Sequence, residues 1–282
     1  MTGANEHTIP LVSVVMPVYN LASFVGKSID SVLEQTFRDF EFIIVNDGST
    51  DNTSQIVNSY SDKRINFIDN ASNNGLVYAL NAGIDKARGK YIARIDGDDI
   101  ALPQRFEKQV RYMEAHPECD ALTSIVTLID DKENDIGVWP ADRKNITFRQ
   151  IRNYLPKDNC LTHPSALIKT GVLKGFRFSA SQALAEDYDL WLRMMAERKE
   201  IHKLNEVLTL HRILPTSFTR TRRKNGYFKI MRVKRQFVWE QYKKKKVNGF
   251  VVKTLFFSFI DMMIGVEKEI KYFFQRIKKR KG

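Results

Sequence analysis

The order of apolar runs between residues 11 and 95 constrains the fold more than any other feature of the chain. Short, mostly apolar runs typical of strands cover 11–16, 40–45, 64–68 and 91–95. Segments with helical spacing of apolar residues separate these runs, at 22–35, 51–60 and 75–87. Strict alternation of strands and helices predicts an α/β domain with a largely parallel sheet.

Polar residues follow three of these strands, at 17–20, 47–51 and 96–99. In sheets of this class ligands bind beyond the carboxyl ends of the strands, so we expect the three segments to converge on one site. Farther along, the spacing predicts helices at 103–115, 144–154 and 185–197, and strands at 121–129, 136–139 and 165–168. Asn74 is placed to cap the helix that begins at residue 75.

Three carboxylates lie within four positions after the fourth strand. Asp96, Asp98 and Asp99 surround Gly97, which allows a sharp turn. Such carboxylates repel one another unless a positive group lies between them. Mg²⁺ or Mn²⁺ would satisfy them, because hard divalent cations prefer carboxylate oxygens and keep open positions for phosphate oxygens. A solvated acidic turn is the alternative, because Asp and Gly are common turn residues.

The chain contains neither of two common phosphate-binding sequence motifs. The sequence contains no GxGxxG after the first strand and no GxxxxGK[ST] motif, which argues against a dinucleotide-binding Rossmann site and a P-loop. Cys119 and Cys160 have no CxxC spacing, which argues against a disulfide framework or a structural zinc site. Residues 1–10 have neither a basic nor an apolar segment typical of a signal peptide, so we expect a cytoplasmic protein.

Positive charge is concentrated at the C-terminal end. The formal net charge is +12, yet residues 220–282 alone hold 20 Lys and Arg against 4 acidic residues. Two stretches, 226–246 and 255–277, combine these cations with apolar residues at helical spacing. Basic amphipathic helices are typical of peripheral association with an anionic membrane surface. Two alternatives are that the helices cover the preceding domain, or that they bind nucleic acid, although no nucleic-acid motif accompanies the charge.

Several ordered motifs together resemble one family. They are VVMPVYN at 14–20, VNDGSTD at 45–51, NG at 74–75 followed by Asn81, ARIDGDD at 93–99 and EDYDLW at 186–191. Over about residues 10–215 the sequence resembles the family 2 inverting glycosyltransferases of the GT-A fold. The version ending in EDYDLW is similar to bacterial enzymes that build surface polysaccharides or lipid-linked glycans.

The resemblance implies a role for each motif. Asp187 would be the catalytic base, with Glu186 beside it, although both also suit the first turn of a helix through its dipole. Asp98 would bind the metal and Asp47 the uracil ring. The nucleotide-binding residues would be Pro17, Val18, Tyr19, Asn20, Asp47, Asn74, Arg94, Asp96 and Gly97.

The match weakens downstream of the base. Family members often carry Arg-x-His, but here Arg212 is followed by Ile213 and Leu214. His211 would be a substitute for the missing histidine, or a structural residue. Supporting roles are expected for Asp99, His163, His211 and Arg212, and the role expected for His163 is on the acceptor side.

These inferences combine into one expected function. We expect residues 1–219 to form a GT-A catalytic domain and 220–282 a basic helical tail on the inner face of the plasma membrane. The domain would transfer a sugar from a UDP-sugar to a hydroxyl of a bacterial polysaccharide or lipid-linked glycan, with Mn²⁺ or Mg²⁺ as cofactor. The alternative is a non-catalytic protein that binds nucleotide sugars or glycans and retains the fold.

Overall fold

The computed structural model describes residues 9–182, 185–214 and 226–280, with side chains described up to Lys271 in the last segment. The expected boundary between domain and tail at 219/220, and most of residues 1–10, lie outside the described residues. Within that description the chain forms one mixed sheet flanked by helices.

Nine strands make up this sheet. They are β1 Val12–Val18, β2 Phe40–Asn46, β3 Ile65–Asp69, β4 Tyr91–Arg94, β5 Ile100–Ala101, β6 Cys119–Ile129, β7 Asp135–Gly137, β8 Leu167–Lys169 and β9 Glu200–Arg212. The strand order is β3-β2-β1-β4-β8-β6-β9-β5, and β7 pairs with β6. The half β3-β2-β1-β4 is parallel, as expected from its crossover helices. The second half contains antiparallel pairs, because β8 runs against both β4 and β6.

Ten α-helices and two short 3-10 helices, His163–Ser165 and Ala180–Gln182, accompany the sheet in the described residues. The α-helices are α1 Val25–Leu33, α2 Thr53–Asn58, α3 Leu76–Lys86, α4 Arg105–Ala115, α5 Pro140–Lys144, α6 Phe148–Tyr154, α7 Thr170–Phe176, α8 Glu186–Ala196, α9 Gly226–Lys243 and α10 Gly249–Arg280. Alternate residues of β1 point to opposite faces of the sheet. Val14 and Met16 pack with α1 and α4 on one face, whereas Val15 packs with α3 on the other, where α8 and α9 also lie.

Some elements differ from the sequence-based expectation. No helix or strand was expected at residues 200–212, which form the long strand β9. The helix expected at 144–154 begins only at Phe148, because Thr147 forms a capping box with Gln150, and the separate helix α5 ends at Lys144. The expected cap at Asn74 was wrong, since Gly75 is the N-cap of α3 and makes no side-chain capping bond.

The last two helices, α9 and α10, form a hairpin that packs on the face of the sheet where α3 and α8 lie. Ile230, Phe237 and Phe250 belong to the same core as α3 and α8. One side of the α9–α10 hairpin therefore covers the preceding domain, as one of the alternatives expected. By length and composition the segment Gly249–Lys271 is apolar enough to cross a membrane, with a mean hydropathy of 1.7 and 33% of its most apolar stretch buried. A core helix of a soluble protein satisfies the same criterion.

Candidate active site

The end of β2 is bonded to the loop before α3. Oδ1 of Asp47 accepts a hydrogen bond from the Asn74 backbone N–H at 2.9 Å, and Oδ2 accepts one from the Gly75 N–H at 2.7 Å. Gly48 has φ +70, and a Cβ there would lie 2.7 Å from the Asn73 nitrogen. Asp47 therefore fixes the backbone of the predicted uracil pocket, and each of its oxygens retains a second lone pair for a ligand.

Asn20, just after β1, is hydrogen-bonded to the loop that follows β2. Asn20, with φ 52, accepts the Thr50 N–H at 2.8 Å and donates its own N–H to Ser49 Oγ at 2.9 Å. Pro17 and Val18 are buried within β1, whereas the Tyr19 ring beside them is 45% exposed. Of the three predicted base-pocket residues, Tyr19 thus presents its side chain at the surface.

The carboxylate turn after β4 packs against β1 and β9. At Gly97 a Cβ would lie 2.6 Å from Val18 Cγ1, so only glycine lets the turn approach β1 this closely. Asp99 is fully buried and accepts the Arg212 backbone N–H at 2.8 Å and the His211 Nδ1–H at 3.0 Å. Arg212 donates its Nε–H to the Asp98 carbonyl at 2.8 Å. The His211–Arg212 dipeptide therefore shapes the turn that carries the aspartates.

The turn concentrates negative charge. Ligand atoms of Asp96, Asp99 and His211 all lie within 4.8 Å of one another, a spacing that could hold a metal ion. Asp98, the metal ligand expected from sequence, is half-buried and outside that group. Burial and the like charges of Asp99 and Asp96 raise the pKa of Asp98 to about 8. Burial lowers the pKa of His211, but Asp99 and its neighbours outweigh this and raise it to about 9.

The motif at the start of α8 lies close to this turn. Arg94, buried at the end of β4, has its Nη1 2.5 Å from Asp96 Oδ1. Burial and the neighbouring Asp187 raise the pKa of Glu186 to about 7, and the charges of Arg94 and Asp96 also act on Glu186. Segments about 90 residues apart in the chain are thus brought to one site.

Asp187, in the first turn of α8, and His163, which packs near Trp191 of α8, have different environments. Asp187 is half-buried, and its Oδ2 accepts a hydrogen bond from Asn159 Nδ2 at 2.9 Å. His163 is buried with ring centroids 5.0 Å from Phe178 and 6.0 Å from Trp191. Burial, with the charge of Arg94, holds the pKa of His163 well below its usual range, so this imidazole is neutral. An acceptor-side role for His163 stays a prediction.

Sequence reasoning missed Asn159. This residue lies in an irregular segment, 28 positions before Asp187, and no periodicity or motif marks it. Asn81, by contrast, belongs to a quoted motif, and its amide exchanges two hydrogen bonds with the backbone of Phe178. Asn81 therefore supports the segment that leads into α8.

The mixed sheet, with carboxylates at the ends of β2 and β4 and at the start of α8, defines a GT-A glycosyltransferase. The family model described as glycosyl transferase family 2 matches residues 13–184. The chain belongs to this family and is a glycosyltransferase. The expected fold and enzyme class are thereby confirmed.

Relatives and solved structures agree with this assignment. A glycosyltransferase of Methanocaldococcus jannaschii with no assigned role is 36% identical over 264 residues, covering 89% of this chain and 87% of its own length. The O-antigen biosynthesis glycosyltransferase WbnJ of Escherichia coli is 34% identical over 210 residues, covering 73% of this chain and 80% of its own.

Two solved structures share the fold. TarS of S. aureus, in complex with UDP, has a TM-score of 0.63 and 21% identity, covering 80% of this chain and 65% of that chain. The mannosyltransferase PcManGT of Pyrobaculum calidifontis, in complex with GDP-Man and Mn²⁺, has a TM-score of 0.59 and 15% identity. The second similarity covers 92% of this chain and 75% of that chain.

Proposed function

We propose that this glycosyltransferase moves a sugar from a UDP-sugar to an acceptor hydroxyl of a bacterial polysaccharide or lipid-linked glycan. The observation that carries the proposal is that the charges of Arg94 and Asp96 act on Glu186, because this interaction relates the carboxylates of α8 to residues of the proposed nucleotide site. The UDP complex of TarS supports the donor class, and the O-antigen relative supports the acceptor class.

In the proposed reaction the acceptor oxygen attacks the anomeric carbon in a single displacement that inverts its configuration. Asp187 takes the proton from that hydroxyl as the new C–O bond forms. The bond from the anomeric carbon to the diphosphate breaks, and UDP leaves with the bonding electron pair. The pKa of Glu186, raised to about 7, favours its neutral form below that pH, so the pair need not carry two charges.

The donor set at the carboxylate turn fits a divalent cation. Asp96, Asp99 and His211 supply hard oxygen and imidazole donors within 4.8 Å, and the raised pKa of Asp98 reports uncompensated negative charge beside them. These four residues would hold Mn²⁺ or Mg²⁺, with His211 losing its proton on binding. The cation would neutralise charge that develops on the leaving diphosphate.

The base assignment is tested by Asp187→Asn. Because an amide cannot accept the proton, we expect turnover with UDP-sugars to fall at least about 100-fold, within the range of general-base contributions, while UDP affinity is kept. Asp85→Asn is the control, since Asp85 is exposed and forms a surface ion pair with Arg177. Wild-type turnover in Asp187→Asn would refute the base, and UDP release from none of a panel of UDP-sugars would refute the donor class.

The cation is tested by Mn²⁺ binding, followed through the loss of its free electron-paramagnetic-resonance signal. We expect Asp98→Asn and His211→Gln each to weaken binding, because both remove a donor. Unchanged binding in Asp98→Asn alone would restrict the site to Asp96, Asp99 and His211. Full activity in EDTA would remove the cation from the mechanism.

We also propose that the hairpin α9–α10 attaches the enzyme to the inner face of the plasma membrane. Between residues 254 and 261 the buried side of α10 is polar, with Thr254, Ser258 and Asp261 facing the protein. Its exposed side is an apolar stripe, which we call the outer stripe. The outer stripe consists of Val252, Phe256, Phe259, Met263, Val266 and Ile270.

The composition around the outer stripe favours lipid over a second helix. Its spacing of three and four residues would suit a coiled coil, whose flanking positions carry charges. Charged residues flank the stripe only toward its two ends, at Lys253, Glu267 and Glu269, whereas Leu255, Ile260 and Met262 flank its middle. Exposed Trp239 and Tyr242 on α9 stack at 5.7 Å and suit a membrane interface. The basic residues of 220–282 complement anionic headgroups.

Vesicle sedimentation tests the attachment. We expect the full chain to pellet with vesicles of phosphatidylglycerol and phosphatidylcholine, and to remain bound at high salt because the outer stripe inserts. Replacing Phe256, Phe259 and Met263 by Gln should abolish pelleting. Ile136→Gln is the control, because Ile136 is an exposed apolar residue of β7, outside the hairpin. A stable dimer that the triple replacement dissociates, without vesicle binding, would refute the membrane and assign the stripe to a second copy.

A further inference from the structure

The segment from Lys157 to Cys160 is held at both ends by buried ammonium groups. Lys234, on α9, donates from Nζ to the Lys157 carbonyl at 2.7 Å. Lys203, on β9, donates from Nζ to the Cys160 carbonyl at 2.6 Å. Side chains from α9 and β9 are therefore hydrogen-bonded to the two ends of one short irregular segment, which we call the 157–160 turn.

Each of these lysines is paired with a buried aspartate. Lys203 lies 2.8 Å from Asp142 Oδ1, and neither side chain is exposed. Lys234 lies 2.6 Å from Asp261 Oδ2 on α10, with Lys234 fully buried. Buried ion pairs gain little stability over apolar residues of the same size, because desolvation offsets the attraction. Their contacts with the two carbonyls suggest a role in fixing the 157–160 turn.

The 157–160 turn carries Asn159 to the candidate base. Asn159 is 6% exposed, and its Oδ1 accepts the Leu161 backbone N–H at 3.0 Å. Since an N–H donates to this oxygen, the other amide atom is the nitrogen, which donates to Asp187 Oδ2 at 2.9 Å. A neutral amide donor stabilises a carboxylate and fixes the rotation of its side chain.

We propose that Asn159 is a positioning residue for Asp187, and that the Lys203–Asp142 and Lys234–Asp261 pairs hold Asn159 in place. The inference rests on the proposed role of Asp187 as base. Asn159 holds Oδ2 of the carboxylate, and the Tyr188 backbone N–H donates to its Oδ1 at 2.6 Å, so the protein orients both oxygens. The hairpin α9–α10 thereby contributes to catalysis through Lys234, although it supplies none of the carboxylates of the candidate active site.

The sharpest test is Asn159→Asp. An aspartate has the same shape and still accepts the Leu161 N–H, so a purely structural role survives the replacement. It cannot donate to Asp187 when ionised, and it places a second carboxylate beside it. We expect kcat to fall about 10- to 100-fold, in the range measured for residues that orient catalytic groups, with donor KM and UDP affinity within about 3-fold of wild type. Asn159→Ala should lower kcat similarly.

The role of the Lys234–Asp261 pair is tested by replacing both of its residues. The double variant Lys234→Met/Asp261→Leu replaces the ion pair by apolar side chains and removes the donor to the Lys157 carbonyl. We expect it to lower kcat several-fold with donor KM unchanged. Lys253→Met is the matched control, because Lys253 on α10 donates to the Asn153 carbonyl at the surface and should leave kcat unchanged.

The outcomes separate the inference from the proposed function. Loss of turnover in Asp187→Asn with wild-type kcat in Asn159→Asp would overturn the positioning role and leave the base assignment standing. Wild-type turnover in Asp187→Asn would overturn both. Equal losses in the Lys253→Met and Lys234→Met/Asp261→Leu variants would refute the specific role of the buried pair.

Discussion

Replacing Gly48 by Ala tests whether the nucleotide side of the site depends on the contact between the loops after β2 and before α3. Gly48 has φ +70, a conformation that an L-residue adopts at a cost of about 1–2 kcal/mol. Its new Cβ would also lie 2.7 Å from the Ser72 Cα and from the Asn73 nitrogen. Both are backbone atoms, which cannot rotate away as the end of a side chain can.

The magnitude follows from these two terms. Overpacking a fixed site costs about 1–3 kcal/mol, so the sum is about 2–5 kcal/mol of unfolding free energy. Relief of the clash requires the 72–75 backbone to move, which lengthens the hydrogen bonds from Asn74 and Gly75 to Asp47. In a chain of this size about 2–4 °C of Tm is lost per kcal/mol, so we expect a decrease of roughly 4–20 °C. UDP affinity should decrease as well, because Asp47 is displaced.

The assay compares thermal unfolding and UDP titration calorimetry in three proteins. Gly137→Ala is the matched control, since Gly137 also has a positive φ, +114, but its Cβ would meet no atom within 4 Å. That control should lose about 1–3 kcal/mol from backbone strain alone and bind UDP normally. If Gly48→Ala unfolded at the same temperature as Gly137→Ala and kept wild-type UDP affinity, the loop contact would not organise the pocket.

Two further predictions concern titration and reactivity. Burial raises the pKa values of Cys119 and Cys160 to about 12, so we expect neither thiol to react with DTNB at pH 8 until the protein is unfolded in urea; rapid labelling of native protein would contradict this. A hydrogen bond from Arg64 lowers the pKa of Asp62 to about 2. This lowered pKa contributes stability that is present above about pH 4 and lost as the pH falls through 2, so Asp62→Asn should flatten the acid limb of a stability profile, and an unchanged limb would contradict it.

The parts of the site that follow regular strands could be predicted from the sequence. Because parallel strands place their carboxyl ends at one edge, the positions of Asp47 and of the Asp96–Asp99 turn followed from the strand pattern alone. The helix at 185–197 was also visible from its spacing. The identity of Asp187 as candidate base came instead from the resemblance, since an acidic first turn is common in helices.

Other parts depend on contacts that no local pattern records. His211 lies beside Asp99 because β9 pairs with both β5 and β6, and β9 was not predicted. The sequence of β9 mixes charged and apolar residues without a regular alternation, because parts of the strand are buried and other parts are exposed. Asn159 bonds across 28 positions, and Lys203 contacts a carbonyl 43 positions away. Such contacts are tertiary and are fixed only when the sheet and the helices have assembled.

The orientation of α10 shows how one such contact has two consequences. The helix is apolar on most sides between residues 249 and 266, so periodicity alone does not determine which side faces the protein. Asp261 does, because Lys234 is buried and its charge requires a carboxylate partner. Turning Asp261 inward turns Val252, Phe259 and the rest of the outer stripe outward. The pair that grips the 157–160 turn thus also exposes the stripe, so the proposed membrane contact and the positioning of Asp187 share one structural origin.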